Sequence, residues 1–276
     1  MAFLTNENGK TPVDIFYEDY GKGQPVILIH GWPLSHRAWE GQVADIVDAG
    51  FRCITYDRRG FGLSDFPWEK YDYSTLASDL REIILQLNLE DCIIVGFSMG
   101  GGEVVRYLTD YGADKIAKAA LISSIIPLVK KKKDNPNGVP PKDIKGILNA
   151  VKSDRVGFLK DFHKNFYNYE DNQDKVSEAQ LEYDWSIAAY ASPRATLKAA
   201  EAWANTDFRK ELKNVTVPTL VVHGTADNIV PIETSGDQAA KGIKKSTYKK
   251  IKGGPHGLNV THREELNEIL INFLKK

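Results

Sequence analysis

Short, nearly unbroken apolar runs recur along the chain, at 25–30 (PVILIH), 53–57 (CITYD), 92–97 (CIIVGF), 118–123 (KAALIS), 218–224 (PTLVVHG) and 247–253 (TYKKIKG). Their length and β-branched content predict strands, and their lack of polar alternation predicts burial on both faces. Between them the apolar period changes. In YSTLASDLREIILQLNL, Leu76, Leu80, Ile83, Ile84 and Leu87 share one helical face, with Ser74 as the expected N-cap. Strands alternating with helices predict a parallel sheet with crossover helices. Residues 13–21 (VDIFYEDYG) alternate instead, which suits an antiparallel hairpin at the sheet edge, so a mixed sheet is expected.

The rhythm stops after Ser124. From 125 to 211 there are helical patterns, DRVGFLKDFHKNFY and SPRATLKAAEAWAN among them, but no comparable strand runs. The expected organisation is an α/β core from 1–124 and 212–276 with an all-helical cap inserted at 125–211. The four lysines at 130–133, beside DNPNG, read as a solvated loop.

Composition narrows the partners. The 276 residues carry 36 basic and 37 acidic side chains, so no global field favours nucleic acid or a membrane surface. No run of 18 uncharged apolar residues occurs and the first residues lack a leader pattern, which makes cytoplasmic residence the expectation. Cys53 and Cys92 each lie in an apolar strand-like run and read as small buried side chains, not as a disulfide or metal ligands.

The chemistry begins at Gly96-Phe97-Ser98-Met99-Gly100, a G-x-S-x-G pattern. The pentapeptide alone is weak, but a buried strand enters it and a helical pattern, Val104, Val105, Leu108 and Tyr111, leaves it. That strand-turn-helix is what an exposed nucleophilic serine requires, with glycines where neighbouring backbone approaches closely. A serine hydroxyl needs a base oriented by an acid. His256 lies on the Gly/Pro-rich loop after the last strand, so it is the expected base. His262 sits near a helix start, His36 and His163 lie in polar helical contexts, His30 reads as a loop buttress, and His223, inside a strand, reads as a packed bystander. Asp227 follows the strand at 218–224 and falls between serine and histidine in chain order, so it is the expected acid. Asp237 reads as a first-turn helix carboxylate, and Asp57, in DRRGFGLSD, as a member of an ion-paired structural loop. The oxyanion calls for two backbone donors, expected from Met99 and from Trp32 in HGWPLS, with Gly31 and Pro33 shaping that loop.

With these residues placed, the chain resembles the α/β-hydrolases, and within them the non-haem haloperoxidase, aryl esterase and perhydrolase group. The similar blocks are HGWPLS, YDRRGFGLSD, VGFSMGGGEVVRY, TDFRKEL, VPTLVVHGTADNIVP and GGPHGLNVTH, spread over nearly the full length. The resemblance implies an eight-stranded, mostly parallel sheet, a Ser98–Asp227–His256 triad, an oxyanion hole from Trp32 and Met99, and no haem or metal. It implies hydrolysis of small carboxylic esters. Hydrogen peroxide competes with water for the acyl-serine in that group, a side activity that the resemblance links to Pro33. One departure is Thr225, where aspartate is more usual. Similar proteins often self-associate, which leaves a homo-oligomer as an open expectation. Dehalogenases and epoxide hydrolases resemble the chain less, since they carry aspartate at the elbow. A serine-triad lyase, a C–C or amide hydrolase, or a non-catalytic ligand receptor on the same fold are the alternatives.

Overall fold

A computed structural model describes residues 2–9 and 11–276. Eight strands form one sheet: β1 (Ala2–Asn6), β2 (Val13–Tyr20), β3 (Pro25–Ile29), β4 (Arg52–Tyr56), β5 (Cys92–Phe97), β6 (Ile116–Ile122), β7 (Thr219–Gly224) and β8 (Ser246–Ile251). Their spatial order is β1-β2-β4-β3-β5-β6-β7-β8. β2 pairs antiparallel with both β1 and β4, and every pair from β4 to β8 is parallel. Every residue of β3, β5 and β7 is buried, so helices cover both faces of the central sheet. Those helices are α1 (Glu40–Asp48), α2 (Tyr73–Gln86), α3 (Gly100–Tyr111) and, further along the chain, α8 (Gly236–Gly242), α9 (Leu258–Thr261) and α10 (Arg263–Leu274).

Helix α2 shows how the pattern works. Leu76, Leu80, Ile83 and Ile84 are buried against the sheet and Leu87 is half-buried, and each fully buried aliphatic side chain contributes roughly 2 kcal/mol. The helix starts earlier than the sequence suggested. Its N-cap is Asp72, whose carboxylate accepts the Thr75 N–H at 3.1 Å, and a carboxylate there also meets the positive end of the helix. Ser74 instead lies in the first turn and accepts from the Arg106 guanidinium at 2.8 Å. β1 is the one strand of the sheet that the hydrophobic patterns did not mark.

Between β6 and β7 lie four helices, α4 (Pro141–Ser153), α5 (Arg155–Phe166), α6 (Glu178–Tyr190) and α7 (Pro193–Asn205). Lys131, Lys132 and Lys133 are exposed, and Lys132 meets Asp207 at 3.1 Å. Both cysteines are free and buried, and burial pushes each thiol up to about 12.

Candidate active site

The loops leaving the C-terminal ends of β3, β5 and β7, with the loop after β8, converge on Ser98. Strand β5 runs straight into helix α3 through a turn in which Ser98 has φ of 51°. A β-carbon on Gly96 would lie 2.5 Å from the Gly100 carbonyl, and one on Gly100 would lie 2.5 Å from the Ile29 carbonyl. Only glycine fits at either place, and the left-handed serine between them is strained. The Ser98 backbone is fixed by its N–H donating to Ile122 and its carbonyl accepting from Gly101 and Ile125.

The side chains then form a chain. Ser98 Oγ is 2.9 Å from His256 Nε2, and His256 Nδ1 is 2.7 Å from Asp227 Oδ2. All three are buried, Ser98 keeping 6% of its surface. Asp227 Oδ1 accepts the Ile229 and Val230 N–H groups at 3.0 and 2.8 Å. Burial would raise the Asp227 carboxyl, yet the His256 imidazole and the donors around it hold it well below the usual carboxylate range. Those donors favour the ionised carboxylate.

Gly31 lies against the elbow: a β-carbon there would meet the Phe97 ring at 2.8 Å and the Ser98 side chain at 3.1 Å. The Trp32–Pro33 peptide is cis. The Trp32 and Met99 N–H groups donate to no other group among the described residues. His30 buttresses this loop. Its Nδ1 donates to the Gly31 carbonyl at 2.8 Å, and its Nε2 accepts the Arg58 N–H at 3.0 Å. Arg58 also donates to the His30 carbonyl at 2.7 Å and pairs with Glu103 of α3, both side chains being fully buried. Burial raises the Glu103 carboxyl while Arg58 opposes that. This clamp between the loop after β3 and helix α3 had no sequence signal, because Arg58 and Glu103 are remote in the chain.

Four residues make contacts that their sequence reading did not show. His223 is no bystander: its Nε2 is 2.9 Å from the Val230 carbonyl and 3.1 Å from Asp227 Oδ2. Asp57 is a buried structural acid, but its partners are the His36 imidazole and the N–H groups of His36 and Leu63. The neighbouring arginines reach past it, Arg58 to Glu103 and Arg59 to Asp79. His36 and His163 lie in helical segments, as read, and both are buried, His36 on Asp57 and His163 on the Leu159 carbonyl. Asp237 does lie in the first turn of α8, where it accepts from Tyr248 and Lys250. His262 stands at the N-cap of α10 but makes no capping bond, its ring meeting Thr261 instead. Thr225 accepts the Gly253 N–H through its hydroxyl, so the acid loop is tied to the histidine loop without a charge.

Helices between β6 and β7 pack against this arrangement. Phe166 of α5 packs edge-on to His256 with ring centroids 5.0 Å apart, and Phe97 lies 5.4 Å away on a tilted plane. Phe162 meets the Trp32 ring edge-on at 5.3 Å, and the Trp32 indole donates to the Thr196 carbonyl of α7 at 2.9 Å. The Phe166 carbonyl accepts the Gly257 N–H, and Asn168 donates to the Ala226 carbonyl, so the end of α5 and the residues after it brace the loops that carry His256 and Asp227. Among the described residues no cluster of three or more His, Cys, Asp or Glu side chains could hold a metal ion, and no helix is long and apolar enough to cross a membrane.

A buried serine on a strand-to-helix elbow, linked through histidine to an ionised aspartate, defines a class, and the chain belongs to the alpha/beta-hydrolase family: the profile described as alpha/beta hydrolase fold matches residues 24–262. Within that family it stands with the non-haem haloperoxidases and esterase/perhydrolases. It is 48% identical to a bromoperoxidase from Bacillus anthracis, with a TM-score of 0.96 and all of both chains covered. It is 38% identical to a non-heme chloroperoxidase of Kitasatospora aureofaciens and 36% identical to a bifunctional esterase/perhydrolase of Acinetobacter calcoaceticus, again over the whole of each chain.

Proposed function

We propose that the protein is a serine hydrolase that cleaves small carboxylic esters through an acyl-Ser98 intermediate, and that hydrogen peroxide replaces water as acyl acceptor in a perhydrolase side reaction. The observation that carries the reading is the continuous hydrogen-bonded line from Ser98 through His256 to Asp227. His256 Nε2 takes the Ser98 proton as Oγ attacks the ester carbonyl, and Asp227 holds the imidazole with Nδ1 protonated and balances its charge. The Trp32 and Met99 N–H groups, unclaimed by other acceptors, receive the developing oxyanion, each contributing about 3 kcal/mol. Collapse returns the proton from His256 to the departing alcohol and leaves the acyl group on Ser98. Water, or hydrogen peroxide, then gives its proton to His256 and its oxygen to the acyl carbon, releasing acid or peracid and free Ser98.

Support for both acceptors comes from relatives named for esterase, perhydrolase and haloperoxidase activities. The buried site, walled by Trp32, Phe162 and Phe166, favours a small apolar acyl group. The test is Ser98→Ala assayed with p-nitrophenyl acetate, with and without peroxide. Turnover in the variant falls on the order of a millionfold, and peracid formation falls with it. Near-normal turnover would overturn the reading.

A further inference from the structure

Asp227 Oδ2 lies between two imidazoles. One belongs to His256, 2.7 Å away, and the other to His223, 3.1 Å away. The second ring is wholly buried, and its position is set from several sides. Its Nε2 also faces the Val230 carbonyl at 2.9 Å and the Ser235 hydroxyl at 3.4 Å, the latter already donating to the Pro231 carbonyl. A β-carbon on Gly236 would touch the His223 side chain at 2.8 Å, so the start of α8 presses on the ring. The carboxylate and the Val230 carbonyl can only accept, so Nε2 carries the proton. His223 Nδ1 has no hydrogen-bond partner among the described residues, which agrees with a bare nitrogen there.

We propose that His223 is a positioning residue for the acid: its Nε2–H is a second imidazole donor to Asp227 Oδ2, fixing the carboxylate and tempering its pull on the His256 proton. The inference rests on the triad reading above. A carboxylate that accepts a further N–H bond spreads its charge and binds the opposite imidazolium less strongly. The other charged and titratable groups around this ring are accounted for: Asp237 is held by Lys250 and Tyr248, which lie on β8 beside β7. None of them replaces the His223 donor.

Two variants separate positioning from bulk. His223→Gln places an amide N–H where Nε2–H stands, and His223→Leu fills the space without a donor. With rates divided by the fraction of protein labelled by a fluorophosphonate, His223→Leu loses about tenfold in kcat with KM unchanged, and the acid limb of its kcat profile moves up by about half a pH unit or more. His223→Gln keeps both near wild type. A purely structural role would lower the labelled fraction in both variants and leave the acid limb in place, which overturns the proposal. Should His223→Leu fail to fold, the side-chain ¹⁵N spectrum of the unaltered protein decides: an Nε2-protonated His223 supports the proposal and an Nδ1-protonated one overturns it. Asp227→Asn separates this from the parent reading. Full activity in Asp227→Asn removes the triad itself, whereas an inactive Asp227→Asn beside a wild-type His223→Leu removes only the role of His223.

Discussion

Asp227 accepts from His256, His223 and two backbone amides, and each of those bonds favours the anion. Because its folded carboxyl sits below its unfolded value, the stability it adds is present above the ordinary carboxylate range and is lost only as pH falls through the depressed value. It follows that acid inactivation in the mild range belongs to an imidazole and not to this acid. Turnover on p-nitrophenyl acetate should therefore decline as pH drops below about 6, and a flat profile from about pH 5 to 8 would contradict a histidine base. At this scale the meeting of Ser98, Asp227 and His256 was legible, because an elbow, a post-strand acid and a late loop histidine each have a chain-order signature. His223 was not. Its contact with Asp227 exists because the segment 225–230 folds back so that the Val230 carbonyl and the carboxylate meet the same nitrogen, and an apolar strand pattern carries no trace of that turn.

Helix α5 shows how one element joins packing to electrostatics. Its Phe162 and Phe166 pack on Trp32 and His256, and its His163 is buried with Nδ1 donating to the Leu159 carbonyl at 2.7 Å. Burial pulls that imidazole down to about 4. The unfolded chain then binds the proton first, so the contribution of His163 is intact above about 6.5 and is lost as pH falls toward 4, by on the order of 3 kcal/mol. Asp184 of α6, buried beside Tyr167, is pushed up to about 6 and acts in the opposite sense, since the folded protein binds its proton more readily. The wild-type slope thus mixes two signs, and a difference isolates one of them. Urea unfolding of His163→Leu and wild type should show the variant gaining on the wild type as pH falls from 6.5 to 4, and a pH-independent difference would contradict a buried neutral imidazole. The α2 boundary was misread for a related reason: Ser74 and Asp72 both fit a cap, and the choice depended on Arg106 from the next helix claiming the serine.

Across the whole molecule, the parallel sheet was legible because its central strands read as nearly unbroken apolar runs and are buried at every position, as a sheet covered on both faces requires. β1 was not, since its five residues are mostly half-exposed and its existence depends on pairing with β2. The sheet brings residues more than 150 positions apart to one edge, Ser98 and His256 above all, and the cap is braced to the acid and histidine loops through Asn168 and Phe166. The most direct measurement is rapid-quench mass spectrometry of the protein mixed with p-nitrophenyl acetate, followed by peptide mapping. The account predicts one acetyl group on the peptide containing Ser98, discharged as acetate in water and partly as peracetic acid when peroxide is added. Steady ester turnover with no acetyl on Ser98, or an acetyl carried elsewhere on the chain, would contradict it.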